Sequence, residues 1–163
     1  MSLAEIMHSI QSLPPLIAFR ESALVYPITM ATHLASIAAF GGLILMTDLR
    51  LLGVAFTEYY VTDVVKGLRP WKHAGLTIIL ICGILLGSSE ADKYYPNGFF
   101  WTKMTLLILA GVHALVFKRS VYRNTEALDR AQTVLPQARL AAATSLVLWT
   151  SIACMGRLIA YWE

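Results

Sequence analysis

Four histidines are the side chains with the most informative chemistry in this sequence: His8, His33, His73 and His113. The last three fall in three different apolar stretches of the chain. Imidazole is a common metal ligand and the usual axial ligand of a b-type haem held between membrane helices. Ionisable side chains are costly in hydrocarbon and usually mark function there. The pattern therefore predicts that His33, His73 and His113 bind a haem cofactor as axial ligands of its iron.

The pairing of these histidines stays open from sequence. His73 and His113 lie near the same end of their spans, whereas His33 lies on the order of 10–15 Å away at about 1.5 Å per helical residue. A single haem could lie between His73 and His113 or between His33 and His113. With two haems, His33 and His8 would hold the second. The alternative is that the imidazoles only fill space, with His73 at a membrane interface and His8 in solvent.

Small and polar side chains accompany two of the histidines at helical spacing. His33 shares its stripe with Ser36 and Gly41, and His73 shares its stripe with Gly83 and Gly87. Such stripes allow a second helix or a flat cofactor to approach closely. They favour an inward-facing position for both imidazoles.

The composition indicates an integral membrane protein. Of the 163 residues, 57% are hydrophobic and only 14% are charged, and the mean hydropathy is +0.62. A soluble domain is nearer one quarter charged. A membrane-spanning helix needs about 20 apolar residues. The sequence therefore predicts an all-α fold, a four-transmembrane-helix bundle in a single domain over 1–163, with spans at about 23–47, 71–88, 100–118 and 138–160.

Two further helices are expected beside the four spans. The N-terminal segment has apolar residues at helical spacing, which predicts an amphipathic helix lying on the membrane surface. Its apolar positions are Leu3, Ile6, Met7, Ile10 and Leu13. The segment between spans 1 and 2 is too polar to cross a membrane, and Tyr59 and Tyr60 suit its interface. It predicts an interfacial helix that ends near Gly67 and Pro70.

The basic residues predict the orientation. Most lie in the first and third connections, which a four-span topology places on one side of the membrane: Arg50, Lys66, Arg69, Lys72, Lys118, Arg119, Arg123, Arg130 and Arg139. The opposite side holds Arg20, Lys93, Lys103 and Arg157. Positive charge in short loops stays in the cytoplasm. We therefore expect a multi-pass protein of a bacterial inner membrane with both termini in the periplasm. The pI near 9.0 is a topology signal, and no nucleic acid is expected as a partner.

Other candidate chemistry is sparse. The sequence has no glycine-rich phosphate loop, no His-Glu-x-x-His motif and no acidic metal cluster. Asp48 and Arg50 are expected to pair with each other or with lipid head groups. Cys82 and Cys154 fall inside separate apolar spans and are expected to be buried thiols.

Several short motifs support a family resemblance. The His33, Gly41-Gly42 and Asp48-Leu49-Arg50 motifs, with the closing segment 156–162, resemble small bacterial four-helix membrane proteins of uncharacterised function. These look related to the membrane domain of the copper-resistance protein D family. The Trp101-x-Lys103 motif followed by His113 is similar to the HemJ-type protoporphyrinogen oxidase, a haem-b membrane enzyme. The resemblance implies a haem-b-binding or redox-associated bundle.

The sequence thus predicts a cytochrome-like protein with one or two b-type haems. It would carry electrons between a quinone or membrane partner and a periplasmic or membrane-bound redox protein, as a subunit of a larger redox assembly or as a homo-oligomer in membrane lipid. Two alternatives remain open. One is a protoporphyrinogen oxidase-like enzyme in which Lys103, Arg50 and His33 serve the substrate. The other is a non-catalytic or copper-handling membrane subunit.

Overall fold

The chain folds into helices joined by short connections. The computed structural model describes residues 2–131 and 134–161, and no strand occurs within these ranges. The helices are α1 (Leu3–Gln11), α2 (Pro14–Glu21), α3 (Val25–Leu52), α4 (Val61–Ser89), α5 (Ala91–Tyr94), α6 (Gly98–Val116), α7 (Thr125–Arg130) and α8 (Pro136–Leu158). A π-helical turn (Lys118–Tyr122) follows α6, and a 3₁₀ turn (Ile159–Tyr161) follows α8. The predicted all-α class is confirmed.

Four of these helices have the length and apolar composition to cross a membrane: α3, α4, α6 and α8. They correspond to the four predicted spans, so the protein is a four-helix membrane bundle. The predicted boundary of the second span differs from the structure. The segment expected as a separate interfacial helix is the first part of α4, which runs without a break through Pro70. Proline removes one helical hydrogen bond, but a helix next to packed neighbours tolerates that loss.

Helix α3 is the central element of the bundle. It packs along α4 on one side and α8 on the other, and α6 packs along α8. Phe40 of α3 meets the Trp149 ring of α8 edge-on, with ring centroids 5.0 Å apart. Gly75 lets α4 come close, because a Cβ there would lie only 3.4 Å from the Cβ of Phe40. Helices α4 and α6, both wholly within the described residues, do not pack along each other. Helices α4 and α6 are therefore linked through α3 and α8.

One end of the bundle holds its main hydrophobic core. We call it the basic end; α3 and α6 finish there, and α4 and α8 begin there. Its buried residues are Leu51, Val61, Val65, Val121, Leu128, Ala138, Ala141 and Ala142. Helix α3 stops here at Gly53, whose φ of +74° is the left-handed conformation that commonly closes a helix. This end resembles the core of a soluble domain.

The opposite end is covered by α1, α2 and α5. Ser2 and Glu5 form a reciprocal capping box that starts α1. Helix α1 is fastened to α5, because His8 Nδ1 lies 2.8 Å from Asp92 Oδ2 and Gln11 bonds both the carboxylate and the backbone N–H of Asp92. Apolar side chains of α1, among them Leu3, remain exposed. This agrees with the predicted amphipathic N-terminal helix.

The start of α4 is capped from a distance by Asp129 of α7, and this contact predicts a stability effect. The Val61 and Thr62 N–H groups donate to its two carboxylate oxygens at 2.6 and 3.2 Å. Because an N-terminal cap contributes about 1 kcal/mol, we expect Asp129→Ala to lower stability by about 1–2 kcal/mol. Thermal unfolding in detergent would measure it. Glu58→Ala, which removes the same charge from an exposed loop position, should leave the unfolding temperature nearly unchanged. Equal effects of the two variants would contradict the capping role.

Candidate functional site

His33 lies on the face of α3 that meets α4. Its ring rests against Gly83, where a Cβ would lie 3.1 Å from His33 Cε1. The ring nitrogen Nδ1 is buried and has no hydrogen-bond partner among the described residues. The Ile79 backbone carbonyl acts on the ring as a hydrogen-bond partner. His33 is therefore a half-buried imidazole with one nitrogen unsatisfied inside a membrane bundle.

Lys103 of α6 is the second ionisable side chain at this level. Its ammonium lies close enough to act electrostatically on the His33 ring. Its stem lies along Gly156 of α8, where a Cβ would be 3.6 Å from Nζ. Within the ranges 2–131 and 134–161, no hydrogen bond or ion pair reaches this ammonium. Lys103 lies inside the third span, as its position within the predicted stretch 100–118 implied.

We call His33, Lys103, Gly83 and Gly156 the His33–Lys103 site. At about 1.5 Å per residue, the two ionisable residues lie on the order of 10 Å beyond the starts of α3 and α6, at similar depth. The two glycines make room for these side chains, because the His33 ring lies against Gly83 and the Lys103 stem lies against Gly156. An imidazole nitrogen can ligate a metal centre, and an unpaired ammonium can balance an anionic group. The arrangement therefore suits a ligand that carries both a metal and a negative charge.

His113 is held between α6 and α8. Its Nε2 lies 3.0 Å from the Ala141 carbonyl oxygen, and its ring packs on Phe117 with centroids 4.9 Å apart. One ring nitrogen is thus already engaged by the backbone. Along α6, His113 lies on the order of 15 Å from Lys103. The structure does not bring His113 to the His33–Lys103 site.

His73 and His8 lie at two further places. His73 is exposed on the surface of α4, so the expectation that it faces inward is wrong. The glycines that follow His73 at helical spacing did not predict which face of α4 is buried. The buried residues Cys82 and Leu86 lie on a neighbouring face of the helix. His8 lies on the surface of the opposite end, where it contacts Asp92. The four imidazoles are therefore separate in this arrangement.

Within the described part of the chain, no group of three or more histidine, cysteine, aspartate or glutamate side chains could hold a metal ion. A haem needs only one or two protein ligands to its iron. This finding therefore does not test the haem prediction. The ligand set His33, His73 and His113 stays a prediction.

Asp48 is buried at the basic end, and the expected pairing with Arg50 is wrong. Asp48 is only 2% exposed and bonds Ser145 of α8, while its Oδ2 has no partner among the described residues. The Arg50 side chain points away and donates from Nε to the Tyr59 carbonyl at 2.7 Å. Residues two apart on a helix do not face each other, which explains the difference.

Lys72 and Tyr122 complete this second polar group. Lys72 Nζ donates to Thr47 Oγ1 at 3.0 Å and acts electrostatically on Asp48, yet no ion pair joins the two among the described residues. Burial and the nearby Asp48 both raise the pKa of the Tyr122 phenol, which lies on the π-helical turn outside the spans. We call Thr47, Asp48, Lys72, Tyr122 and Ser145 the Asp48 cluster. The sequence did contain a signal for this cluster, because the polar pair Thr47-Asp48 lies within an apolar run.

Fold and sites together define the class: a multi-pass helical membrane protein with ionisable groups buried inside the bundle. Residues 21–162 match the family of unknown function DUF6644, and the chain belongs to that family. No curated protein and no solved structure matches the chain. The resemblances to the copper-resistance protein D and HemJ-type families stay predictions.

The contact between Gly83 and His33 predicts different effects of two similar substitutions on α4. Alanine in place of a helical glycine stabilises by about 0.5–1 kcal/mol. Gly87→Ala should show that gain, because nothing lies within 4 Å of the new Cβ. Gly83→Ala must displace the His33 ring, so its stability should be lower than that of Gly87→Ala by on the order of 1 kcal/mol. Melting temperatures in one detergent would measure the difference. Identical shifts would mean that the ring does not rest on Gly83.

Proposed function

We propose that the protein is a b-type haem-binding membrane protein that acts in electron transfer, with His33 as an axial ligand. The observation that carries the proposal is the buried Nδ1 of His33, which lacks a partner among the described residues. A buried imidazole nitrogen without a partner is costly in hydrocarbon, and binding to a ligand would offset that cost. A haem iron would satisfy it.

The surroundings of His33 fit such a cofactor. Lys103 offers an amine near the ring that has no partner among the described residues, and its protonated form would suit the propionate groups of a haem. His113 would have to give up its bond to the Ala141 carbonyl before that nitrogen could bind iron. His73 could serve only a site on the outer face of α4.

When bound, the haem would supply one-electron transfer. The chain's own contribution would be to hold the haem, exclude water from it and tune its reduction potential. Burial and the Lys103 charge would act on that potential, because a nearby cation favours the reduced form, which carries less positive charge. Membrane or periplasmic redox subunits, with a quinone as a candidate, are the partners proposed for this exchange. The lysine and arginine asymmetry supports an inner-membrane location with periplasmic termini.

The visible spectrum of the protein purified in detergent from haem-replete cells tests this proposal. We expect a sharp reduced α-band, and a haem content near one per chain for a single site. His33→Ala should lose most of the bound haem, whereas His73→Ala, the matched change at an exposed position, should keep it. A content near two would favour the two-haem arrangement. A colourless wild-type protein, or equal haem in both variants, would refute ligation by His33.

An enzyme resembling protoporphyrinogen oxidase is a second candidate. The proximity of Lys103 and His33 favours it, because these are two of the three residues expected to serve the substrate. Arg50, the third, lies on the order of 25 Å from His33 along α3 and binds the Tyr59 carbonyl. Rescue of a mutant deficient in haem synthesis would support the enzyme, provided that Lys103→Ala abolishes the rescue. Haem binding without rescue would support the electron-transfer proposal.

A further inference from the structure

We propose that Asp48 is a proton-exchange site in which Lys72 changes its hydrogen-bond acceptor. When Asp48 carries a proton, the Lys72 ammonium donates to Thr47. When Asp48 is ionised, the ammonium moves to the carboxylate. This site is separate from the His33–Lys103 site, and the inference does not rest on haem binding.

The burial of Asp48 supports the protonated form in the arrangement described. Asp48 is 2% exposed, and its Oδ2 has no partner among the described residues. A buried carboxylate without a cation in contact is strongly unfavourable, whereas a neutral carboxyl group is tolerated more easily. Lys72 is the nearby cation, but its ammonium contacts Thr47 instead. Acid and cation are thus placed close together without forming a contact pair.

The position of Lys72 supports the exchange. Lys72 donates to Thr47 and also acts electrostatically on Asp48, so both side chains are acceptors near the end of one flexible lysine stem. Ser145 of α8 is a hydrogen-bond partner of the carboxyl group. In the step, the Oδ2–H bond of Asp48 breaks and its electron pair stays on the carboxylate. The proton passes to water, while Lys72 keeps its own protons and moves to Oδ2.

Other charged groups around Asp48 do not replace Lys72 in this role. Arg69 of α4 donates to the Tyr122 carbonyl at 2.9 Å, and Arg50 of α3 points to Tyr59. Tyr122 stays neutral near neutral pH, because its pKa is raised. Helix α8 contributes only Ser145, which does not titrate. Lys72 is the cation positioned to respond to the charge on Asp48.

A cavity lies near the Asp48 cluster, at the same end of the bundle. A cavity of about 360 Å³ opens at the basic end between the α3–α4 connection and α7. Leu51, one helical turn from Asp48, lines it together with Arg50 and Asp129. The cavity therefore comes within about one helical turn of Asp48 along α3, on the side from which water would accept the proton.

Infrared spectroscopy across a pH series, with the full chain in lipid nanodiscs, tests the proposal. Carbon-13 labelling of aspartate separates the aspartate bands from those of glutamate. We expect a carbonyl band of a protonated, buried aspartic acid that disappears as the pH rises. Asp48→Asn should remove this band, and Asp63→Asn, a change at an exposed position of α4, should leave it. A band absent at every pH, or one unaffected by Asp48→Asn, would overturn the proposal.

Two conservative variants test the role of Lys72 and keep Asp48 in place should Asp48→Asn fail to fold. Lys72→Met removes the cation that stabilises the carboxylate, so the midpoint of the band should rise by about one pH unit or more, a tenfold change in proton affinity. Thr47→Val removes the alternative acceptor of Lys72, so the midpoint should fall. Midpoints equal to that of the wild type in both variants would show that Lys72 does not exchange.

Discussion

Water cannot complete the hydrogen bonds of a polar side chain inside a bilayer, so each buried polar group must find its partner within the protein. Helix α3 carries two such groups, His33 and Asp48. Its neighbours α4, α6 and α8 supply what partners they have: Gly83 and Lys103 near His33, and Lys72 and Ser145 near Asp48. The position of α3 in the middle of the bundle follows from this requirement.

The four spans could be predicted from the sequence because each is a long apolar run, and length alone distinguishes such runs from soluble helices. The start of α4 could not be predicted from the sequence. Residues 61–70 are polar enough to suggest a separate interfacial helix, but Asp129 caps their first turn and Val61 and Val65 are buried in the core of the basic end. The contacts that stabilise this part of α4 come from distant parts of the chain, so the local composition does not predict them.

In the sites, too, local features could be predicted from the sequence and contacts between distant residues could not. The histidines could be found from sequence because imidazole is rare in apolar runs. Their directions could not, because His113 is held by a backbone carbonyl, which every residue possesses. The partner of Asp48 was missed because Ser145 lies on the last span, whereas the charge nearest in sequence, Arg50, points away from it.

The arrangement of the Asp48 cluster has a consequence for membrane insertion. Asp48 lies in the first of the four spans along the sequence, and Ser145 lies in the last of the four. While the later spans are still being synthesised, Asp48 lacks one of its native partners, and α3 lacks the whole surface supplied by α8. Contacts so distant along the chain form late and leave the intermediate exposed to misassembly. The first span therefore depends on the lipid interface, on α4, or on a cellular insertion factor until the chain is complete.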